Sequence, residues 1–448
     1  MKGVHSAGWF LVVSIVGLAF TLNGLKPVRR PVFLVGFGFF AAWLTTELAL
    51  FHLIWQIAVT AAFVDHGVLG SWSGRIGLAL TGVSWVGLAT MVAVALRTGA
   101  VMDAALRDAL AGGYDDEPRG VSWRRVLWPN PRRRGVQRIR NLAYVDDGNR
   151  RHRLDIYRPS PPSGTADDGD RLTGAPVLLQ IHGGAWMIGS KSQQGLPLMY
   201  PLAKNGWVCV AINYSLSPRA TWPDHLVDCK RALAWVKEHI AEYGGDPDRV
   251  VVTGGSAGGH LSAMIGLTAN DARFQPGFET ADTSVRAFVP MYAVFDFTDR
   301  DGIRGRRDPL RRALERHIVK RVREEEFAIF DLASPMSHVR EGVPPCFVVH
   351  GALDTLAPVE EARHFVGLLR AVSTEPVAFA ELPGAHHAFD VFPSIRSLLA
   401  VDRVERFATW AVSQSVVSAA VSAAGGDGEP ATDPTTRART EPSPARPG

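Results

Sequence analysis

The stretch Val251-Val-Thr-Gly-Gly-Ser-Ala-Gly-Gly-His260 (VVTGGSAGGH) joins an apolar, β-branched run to a serine that is flanked by four glycines. Glycine loses more conformational entropy on folding than any other residue, so four glycines around one side chain indicate a geometric requirement. Residues 254–258 match G-x-S-x-G, the pattern of a strained strand-to-helix turn that exposes a serine. So short a pattern also arises by chance, and the alternative is a glycine-rich turn around an inert Ser256. The rest of the chain must decide between these interpretations.

Short, nearly continuous apolar runs lie on both sides of this stretch. Such runs are typical of strands that are buried on both faces of a parallel sheet. They occupy residues 176–181, 207–212, 250–253, 285–291 and 346–349. Helical segments separate them, most clearly at 225–243 and 359–372, and two short strands are predicted ahead of them, at 136–145 and 152–157. This alternation predicts a doubly wound, mostly parallel α/β sheet in a domain of residues 136–422.

Residues 298–339 interrupt the alternation. Asp308-Pro309 reads as a helix N-cap followed by proline at the first helical position. Leu310, Leu314, Ile318 and Val322 then form an apolar stripe at a spacing of four residues. We expect a helical insertion over the carboxyl edge of the sheet, which is either a lid over a substrate or a surface excursion.

The first hundred residues have the composition of a membrane region. Residues 8–25 and 76–96 carry no charge, and residues 31–64 carry a single acid, Glu47. Because about 20 apolar residues cross a hydrocarbon core, we predict an all-α transmembrane region of residues 1–100 with about three spans, at 8–25, 31–64 and 76–96. The middle segment is too long for one straight span, so it must tilt, break near Glu47 or extend past the bilayer.

Three polar residues lie at membrane depth in the middle segment: Glu47, His52 and Gln56. Such residues are functional candidates by default. Nothing else in the segment is typical of a transporter. We therefore expect them to make hydrogen bonds between helices or to mark a helix break.

Lysine and arginine in short loops predict the orientation. The loop of residues 26–30 is strongly basic, and residues 119–140 hold eight further arginines without an acid after residue 119. With three spans both basic flanks face the cytoplasm, so we predict a multi-pass protein of the cell membrane with a cytoplasmic C-terminal domain; an even number of spans reverses this. Residues 101–135 form a basic linker whose Trp123 and Trp128 suit an anionic lipid surface, although a solvated linker explains them equally well.

Composition excludes several other classes of protein. The net charge of +4 does not indicate a nucleic-acid-binding protein, and three scattered cysteines form neither a disulfide framework nor a metal motif. We expect buried, free thiols. The stretch 423–448 is rich in Ala, Gly, Pro, Thr and Ser, and is predicted to be a disordered tail.

Two further motifs follow the serine in a meaningful order. A serine hydroxyl is a weak nucleophile unless a base accepts its proton and a third group orients that base. Asp354 follows a buried strand in FVVHGALDTLAP, and a histidine pair lies in ELPGAHHAFD after a predicted strand at 377–382. The order Ser, Asp, His is the order expected when G-x-S-x-G follows a strand and opens a helix.

Taken together, these motifs resemble the α/β-hydrolase family, in the esterase and lipase branch related to hormone-sensitive lipase. The resemblance rests on HGGAW at 182–186, GGSAG at 254–258, HGALD at 350–354 and PGAHHAF at 383–389, and it covers about residues 136–415. The membrane-bearing N-terminus resembles isoprenylcysteine methylesterase-like hydrolases. The resemblance implies an α/β-hydrolase fold with a helical insertion, preceded by the all-α transmembrane region.

The resemblance also implies roles for individual residues. Ser256 would be the nucleophile, His387 the base and Asp354 the orienting acid, with Asp296 and Asp390 as alternative acids. The oxyanion hole would consist of the backbone amides at three positions: Gly183, Gly184 and Ala257. This chain has Ala185 where the family usually has a third glycine, which leaves the amide in place and alters the shape of the pocket. No metal or organic cofactor is required.

The function that follows is serine carboxylester hydrolysis through an acyl-enzyme on Ser256. The membrane region favours a lipidic ester substrate and contact with membrane lipids. Within the same fold a peptidase, an amidase or an acyltransferase would use the same three residues. A membrane sensor or scaffold with a non-catalytic hydrolase domain is the alternative from another class.

Overall fold

The computed structural model describes residues 2–28, 32–110, 113, 114, 117, 120–128, 135–161, 172–305 and 308–424, with the backbone alone for 2–5, 32–35 and 415–424. The chain up to Val412 forms one compact unit, so the N-terminal helices and the α/β domain pack together. The predicted tail begins in the last turn of a helix, and its residues 425–448 lie outside the described ranges.

An eight-stranded sheet forms the centre of the α/β domain. Its strands are β1 (Val136–Ala143), β2 (Arg153–Pro159), β3 (Ala175–Ile181), β4 (Val208–Ile212), β5 (Gly245–Gly255), β6 (Ala287–Met291), β7 (Cys346–Gly351) and β8 (Val377–Leu382). Their order is β1-β2-β4-β3-β5-β6-β7-β8; β1 and β2 pair antiparallel, β2 joins β4 antiparallel, and the other pairs are parallel. The predicted doubly wound, mostly parallel sheet is confirmed.

Thirteen α-helices occur among the described residues. They are α1 (Lys2–Leu25), α2 (Val32–Glu47), α3 (Ala49–Asp65), α4 (Trp72–Leu96), α5 (Thr98–Ala109), α6 (Trp123–Leu127), α7 (Leu196–Lys204), α8 (Asp224–His239), α9 (Ala257–Leu267), α10 (Pro309–Ala313), α11 (Phe327–Leu332), α12 (Val359–Val372) and α13 (Ile395–Ala424). Helices α8 and α12 correspond to the clearest helical segments of the sequence.

The apolar runs are continuous because the sheet has a core on each face. Successive residues of a strand point to opposite faces, and Leu178 and Leu179 accordingly belong to different buried clusters, as do Val251 and Val252. The three cysteines are buried and free, as expected. A sheet that is covered on both faces leaves its strand ends as the natural place for polar groups.

The N-terminal region contains more helices than predicted. The segment 31–64, expected as one span, is broken at Leu48 into α2 and α3, which are bent by 83°. Of the described helices, two are long and apolar enough to cross a membrane, within residues Ser6–Leu25 and Trp72–Ala109, and the bent pair would add a third if it forms one span. The break falls directly after Glu47, one of the three alternatives that the sequence left open.

The predicted linker of residues 101–135 is wrong in its first part. Helix α5 continues from α4 to Ala109, and its Met102 and Leu106 are fully buried in the core cluster beneath the sheet. The apolar face of α5 therefore packs into the core of the α/β domain. Trp123 and Trp128 are exposed in and beside α6, whereas the three arginines between 129 and 134 lie outside the described residues.

The insertion at 298–339 is helical, as predicted, but its stripe is shorter. Asp308 caps α10 by accepting hydrogen bonds from the N–H groups of Leu310 and Arg311, at 2.9 and 3.0 Å. Leu314 and Ile318 are fully buried in the core cluster on the face of the sheet opposite to α5. The helix ends at Ile318 and leaves Val322 exposed. Part of the insertion therefore belongs to the core of the domain.

Candidate active site

Ser256 lies at the junction of β5 and α9, with φ +57° and ψ −121°. A non-glycine residue at positive φ typically stores about 1–3 kcal/mol of strain. Its N–H donates to the carbonyl of Met291 at 3.0 Å, which ties the turn to the end of β6. The side chain is partly exposed at the carboxyl edge of the sheet. This is the geometry that the G-x-S-x-G pattern predicts.

The glycines around Ser256 are required by close packing. A Cβ on Gly258 would lie 2.1 Å from the carbonyl oxygen of Ile181, and one on Gly254 would lie 2.5 Å from the same atom. A Cβ on Gly255 would lie 2.1 Å from the hydroxyl oxygen of Tyr292. Any larger residue would push the turn away from β3 or β6, which answers why the chain places glycines there.

His387 and Asp354 meet at the ends of β7 and β8. The His387 Nδ1–H donates to Asp354 Oδ2 at 2.7 Å. The other carboxylate oxygen, Oδ1, accepts the N–H groups of Leu356 and Ala357 at 2.8 and 2.9 Å. With Nδ1 holding the proton, the Nε2 atom of a neutral His387 carries the free lone pair.

The charge of Asp354 is stabilised by these partners. Burial by itself raises the pKa of the carboxyl, but the neighbouring His387 and the hydrogen bonds outweigh burial and hold the pKa below its ordinary value. His350 lies 3.5 Å from Asp354 but donates to the carbonyl of Ala357 instead, and burial lowers its pKa. Asp354 is thus an anionic acceptor that fixes the ring of His387.

The two alternative acids have other partners. Asp296 accepts hydrogen bonds from the backbone and hydroxyl of Thr298 and from Arg300. Asp390 Oδ1 accepts a hydrogen bond from the hydroxyl of Tyr292. Neither carboxylate makes a hydrogen bond to His387.

Tyr292 connects the serine turn with the histidine. Its hydroxyl lies beside Gly255, and its ring packs edge-on against His387 with 4.8 Å between centroids. Ser256 Oγ makes no hydrogen bond to another described residue, so the link between Ser256 and His387 in this structure runs through Tyr292. Catalytic hydrogen bonds often form only when substrate is bound.

The predicted oxyanion loop lies against the serine turn, with one correction. A Cβ on Gly183 would be 3.2 Å from the Ser256 Cβ, so the two segments are adjacent. However, the Gly183 N–H donates to Gln194 Oε1 at 2.7 Å and is not free for an oxyanion. The amides of Gly184 and Ala257 have no such partner among the described residues, and Ala257 begins a helix, where N–H groups lack an intrahelical acceptor.

A buried imidazole supports the oxyanion loop. His182 Nδ1–H donates to the Gly183 carbonyl at 2.8 Å, while Arg151 donates to His182 Nε2 at 3.0 Å. Burial lowers the pKa of His182 to about 4, so the ring is neutral at pH 7 and has one donor and one acceptor nitrogen. Arg151 also donates to the carbonyl of Gly189 at 3.2 Å.

Sequence reasoning missed three residues of this site: Arg151, Gln194 and Tyr292. Arg151 lies in a turn between two strands, and Gln194 lies in a loop of polar residues. Neither stretch has a pattern that indicates its partner. Tyr292 directly follows the apolar run of β6, and that position at the carboxyl end of a central strand is the one signal that could have identified it.

The aromatic residue that follows the oxyanion loop, Trp186, faces the core and not solvent. Trp186 is buried, and its ring packs edge-on against His260 and Phe297 at 5.1 Å each. His260 Nε2–H donates to the carbonyl of Ala333, in the insertion, at 2.8 Å. The insertion thus supports the wall of the site from behind.

The second histidine of the pair points elsewhere. His386 Nε2 lies 2.9 Å from the carbonyl oxygen of Gly24, at the end of α1. Burial lowers the pKa of His386, so its ring is a neutral donor to that carbonyl. Within the described residues, no group of three or more His, Cys, Asp or Glu side chains is arranged to bind a metal.

The chain is similar to known esterases in sequence and in fold. Residues 154–369 match the BD-FAE family. The probable carboxylic ester hydrolase LipM of Mycobacterium tuberculosis is 44% identical over 416 residues, which cover 89% of this chain and 92% of the relative. The isoprenylcysteine α-carbonyl methylesterase ICME of Arabidopsis thaliana is 27% identical over 248 residues, 53% of each chain. A truncated carbohydrate esterase from gut microbiota superposes with a TM-score of 0.52 at 24% identity, over 62% of this chain and 96% of that one.

Proposed function

Because this chain belongs to the α/β-hydrolase family, in its hormone-sensitive-lipase-like branch of carboxylic ester hydrolases, we propose that it cleaves esters through an acyl-enzyme on Ser256. The observation that carries the proposal is the 2.7 Å hydrogen bond from His387 Nδ1 to Asp354, beside a strained and partly exposed serine. Tyr292 supports the proposal further, because its ring packs on His387 and its hydroxyl lies beside Gly255 in the turn that carries Ser256.

The reaction follows from these positions. Ser256 Oγ attacks the ester carbonyl carbon while His387 Nε2 accepts the hydroxyl proton, and Asp354 stabilises the imidazolium that forms. The carbonyl oxygen becomes an oxyanion, for which the amides of Gly184 and Ala257 are the available donors; loss of one such donor costs about 10²–10³ in turnover. The imidazolium then gives its proton to the departing alkoxide, and the alcohol leaves.

The second half of the reaction repeats the first with water. His387 accepts a proton from water as the water oxygen attacks the acyl carbon. The tetrahedral intermediate then collapses, the bond from the acyl carbon to Ser256 Oγ breaks, and His387 returns the proton to the serine. The products are a carboxylic acid and an alcohol, and the enzyme regains its initial state.

A series of p-nitrophenyl esters of increasing acyl length tests the proposal. We expect the wild-type protein to cleave short and medium chains, and Ser256→Ala to lose about 10⁴–10⁶ in kcat, as loss of a triad nucleophile does elsewhere. Undiminished turnover by Ser256→Ala, at a melting temperature equal to that of the wild type, would contradict the mechanism.

We further propose that the protein is anchored in the cell membrane by its N-terminal helices, with the α/β domain in the cytoplasm. Three spans would leave the basic loop after α1 and the arginines beyond α5 on the same side, which the positive-inside rule assigns to the cytoplasm. Trp128, with 78% of its surface exposed, suits the interface with the headgroups. Protease protection in sealed inverted and right-side-out vesicles tests this: cleavage of the α/β domain only in inverted vesicles is expected.

This placement favours an amphiphilic ester that reaches the site from the membrane. The acyl-chain series provides the readout. A preference for medium over short chains would support a lipidic substrate, and a preference for acetate would contradict it.

A further inference from the structure

The segment 383–396, here called the histidine loop, carries His387 and lies against the N-terminal helices. The Trp43 Nε1–H of α2 donates to the carbonyl of Ala388, directly after His387, at 2.9 Å. The Trp43 ring also stacks on Phe392, with centroids 4.9 Å apart. The neighbouring Phe39 packs edge-on against the His387 ring, at 6.0 Å between centroids. Residues of α2 thus contact His387 itself and two other residues of the histidine loop, Ala388 and Phe392.

A buried ion pair fastens the same loop. Glu47, the last residue of α2, accepts a hydrogen bond from Arg396 Nε at 2.9 Å and one from Ser394 Oγ at 2.6 Å. Arg396 in turn donates from Nη1 to the carbonyl of Pro383 at 2.8 Å. One arginine therefore joins the two ends of the histidine loop, and the carboxylate at the helix break holds that arginine in place.

The cost of burying these charges indicates a specific role. The Glu47 and Arg396 side chains are each 1% exposed. A buried ion pair is seldom more stable than an apolar pair of the same shape, because both ions lose their hydration. Orientation is what it adds: a carboxylate that accepts two directed hydrogen bonds fixes its partners in one geometry.

We propose that Glu47 is a positioning residue for the esterase reaction. From the break between α2 and α3 it holds Arg396 and Ser394, and through them the loop that places His387 opposite Ser256. The N-terminal helices are then part of the active site and not a detachable anchor. The inference rests on the proposed function, because the position of His387 matters to the reaction only if His387 is the base.

The test uses the full-length protein in detergent micelles with a short, soluble p-nitrophenyl ester, so that delivery from a membrane has no influence. We expect Glu47→Gln to lower kcat by about 10- to 100-fold, the loss typical of a misplacement of about 1 Å, with KM unchanged within about twofold. Covalent labelling by a fluorophosphonate should slow by the same factor, because it needs the same activated serine. Glu47→Asp, which keeps the charge, should recover most of the rate.

Asp103→Asn is the matched control. Asp103 of α5 pairs with Arg403 of α13 at 2.8 Å, so this ion pair also joins an N-terminal helix to the α/β domain but lies outside the histidine loop. We expect Asp103→Asn to lower the melting temperature and leave kcat within about twofold of the wild type.

A double variant separates positioning from stability. Glu47→Gln leaves the charge of Arg396 buried without its partner, which also destabilises the fold. Glu47→Gln combined with Arg396→Met removes both charges and should recover the melting temperature, while kcat stays low because the Pro383 carbonyl has lost its donor. Recovery of kcat together with the melting temperature would overturn the inference, as would equal losses of kcat in Glu47→Gln and Asp103→Asn. If Glu47→Gln has the wild-type kcat while Ser256→Ala is inactive, only this inference fails; if Ser256→Ala is active, the proposed function itself fails.

Discussion

Ser256 and His387 are held by different means. The serine turn is built from a contiguous segment, with β5 before it, α9 after it and glycines that let neighbouring backbones approach. The histidine loop depends on side chains more than 300 positions earlier in the chain, among them Glu47 and Trp43. A local turn is robust because its geometry is encoded where it occurs, whereas a loop held from a distance responds to whatever moves the distant helices.

After the loss of Ser256 itself, the largest effect should come from the pair of Asp354 and His387 at the ends of β7 and β8. Asp354→Asn removes the charge that orients His387, and we expect kcat to fall about 10³–10⁴-fold, as in other triads. Asp296→Asn is the control, since Asp296 is an equally buried carboxylate in the same domain that does not contact His387. Steady-state kinetics on a p-nitrophenyl ester measures both. A larger loss of kcat in Asp296→Asn than in Asp354→Asn would show that Asp354 is not the orienting acid.

The second-largest effect is expected from a substitution that distorts the serine turn. Gly258→Ala places a methyl group 2.1 Å from the Ile181 carbonyl oxygen, so the backbone must shift. Overpacking of this kind costs about 1–3 kcal/mol, and we expect a lower melting temperature together with lost activity. Gly367→Ala is the matched control, because a Cβ there meets no atom within 4 Å and alanine favours the helix. Equal melting temperatures for the two variants would contradict the packing argument.

A smaller effect should follow at the oxyanion loop. Gln194→Ala removes the acceptor of the Gly183 N–H, and the loop then loses one of its anchors. We expect kcat to fall about tenfold, with little change in KM, because the oxyanion forms only in the transition state. Gln193→Ala, an exposed neighbour, should leave kcat unchanged. A rise in kcat for Gln194→Ala would show that the Gly183 amide itself serves as a donor once it is released.

The smallest effect concerns pH and stability. The pKa of Asp354 lies below the ordinary value of 3.8, so the folded protein binds fewer protons here than the unfolded chain does. The stability that this carboxylate contributes is therefore complete above about pH 4 and is lost as the pH falls through the lower folded pKa. Melting temperatures of the wild type and Asp354→Asn should converge as the pH is lowered from 5 to 3. Parallel curves would contradict the assignment.

The extent to which the site could be predicted follows the same division. The strand runs, Ser256, and the order of Asp354 and His387 are visible in the sequence because each depends on a local pattern of apolar residues and glycines. The hydrogen bond between Gly183 and Gln194 was missed because no pattern links a loop amide to a side chain eleven residues later. The partners of Glu47 could not be inferred at all, because they lie almost 350 positions away in the chain.

The apolar N-terminal helices show the limit of composition as a guide. Apolar content predicted helices at 8–25 and 76–96, but it could not decide whether the middle segment tilts, breaks near Glu47 or extends past the bilayer, and it could not show that α5 continues into the core of the α/β domain. Both features depend on tertiary packing, which overrides the composition of a segment.

The most direct test of the central claim is to trap the acyl-enzyme. The protein is quenched with acid during turnover of a p-nitrophenyl ester, and its peptides are analysed by mass spectrometry. The account predicts that the acyl mass appears on the peptide that contains Ser256 and disappears in Ser256→Ala. Steady turnover with the acyl group on another residue, or with none at all under conditions where deacylation limits the rate, would contradict it.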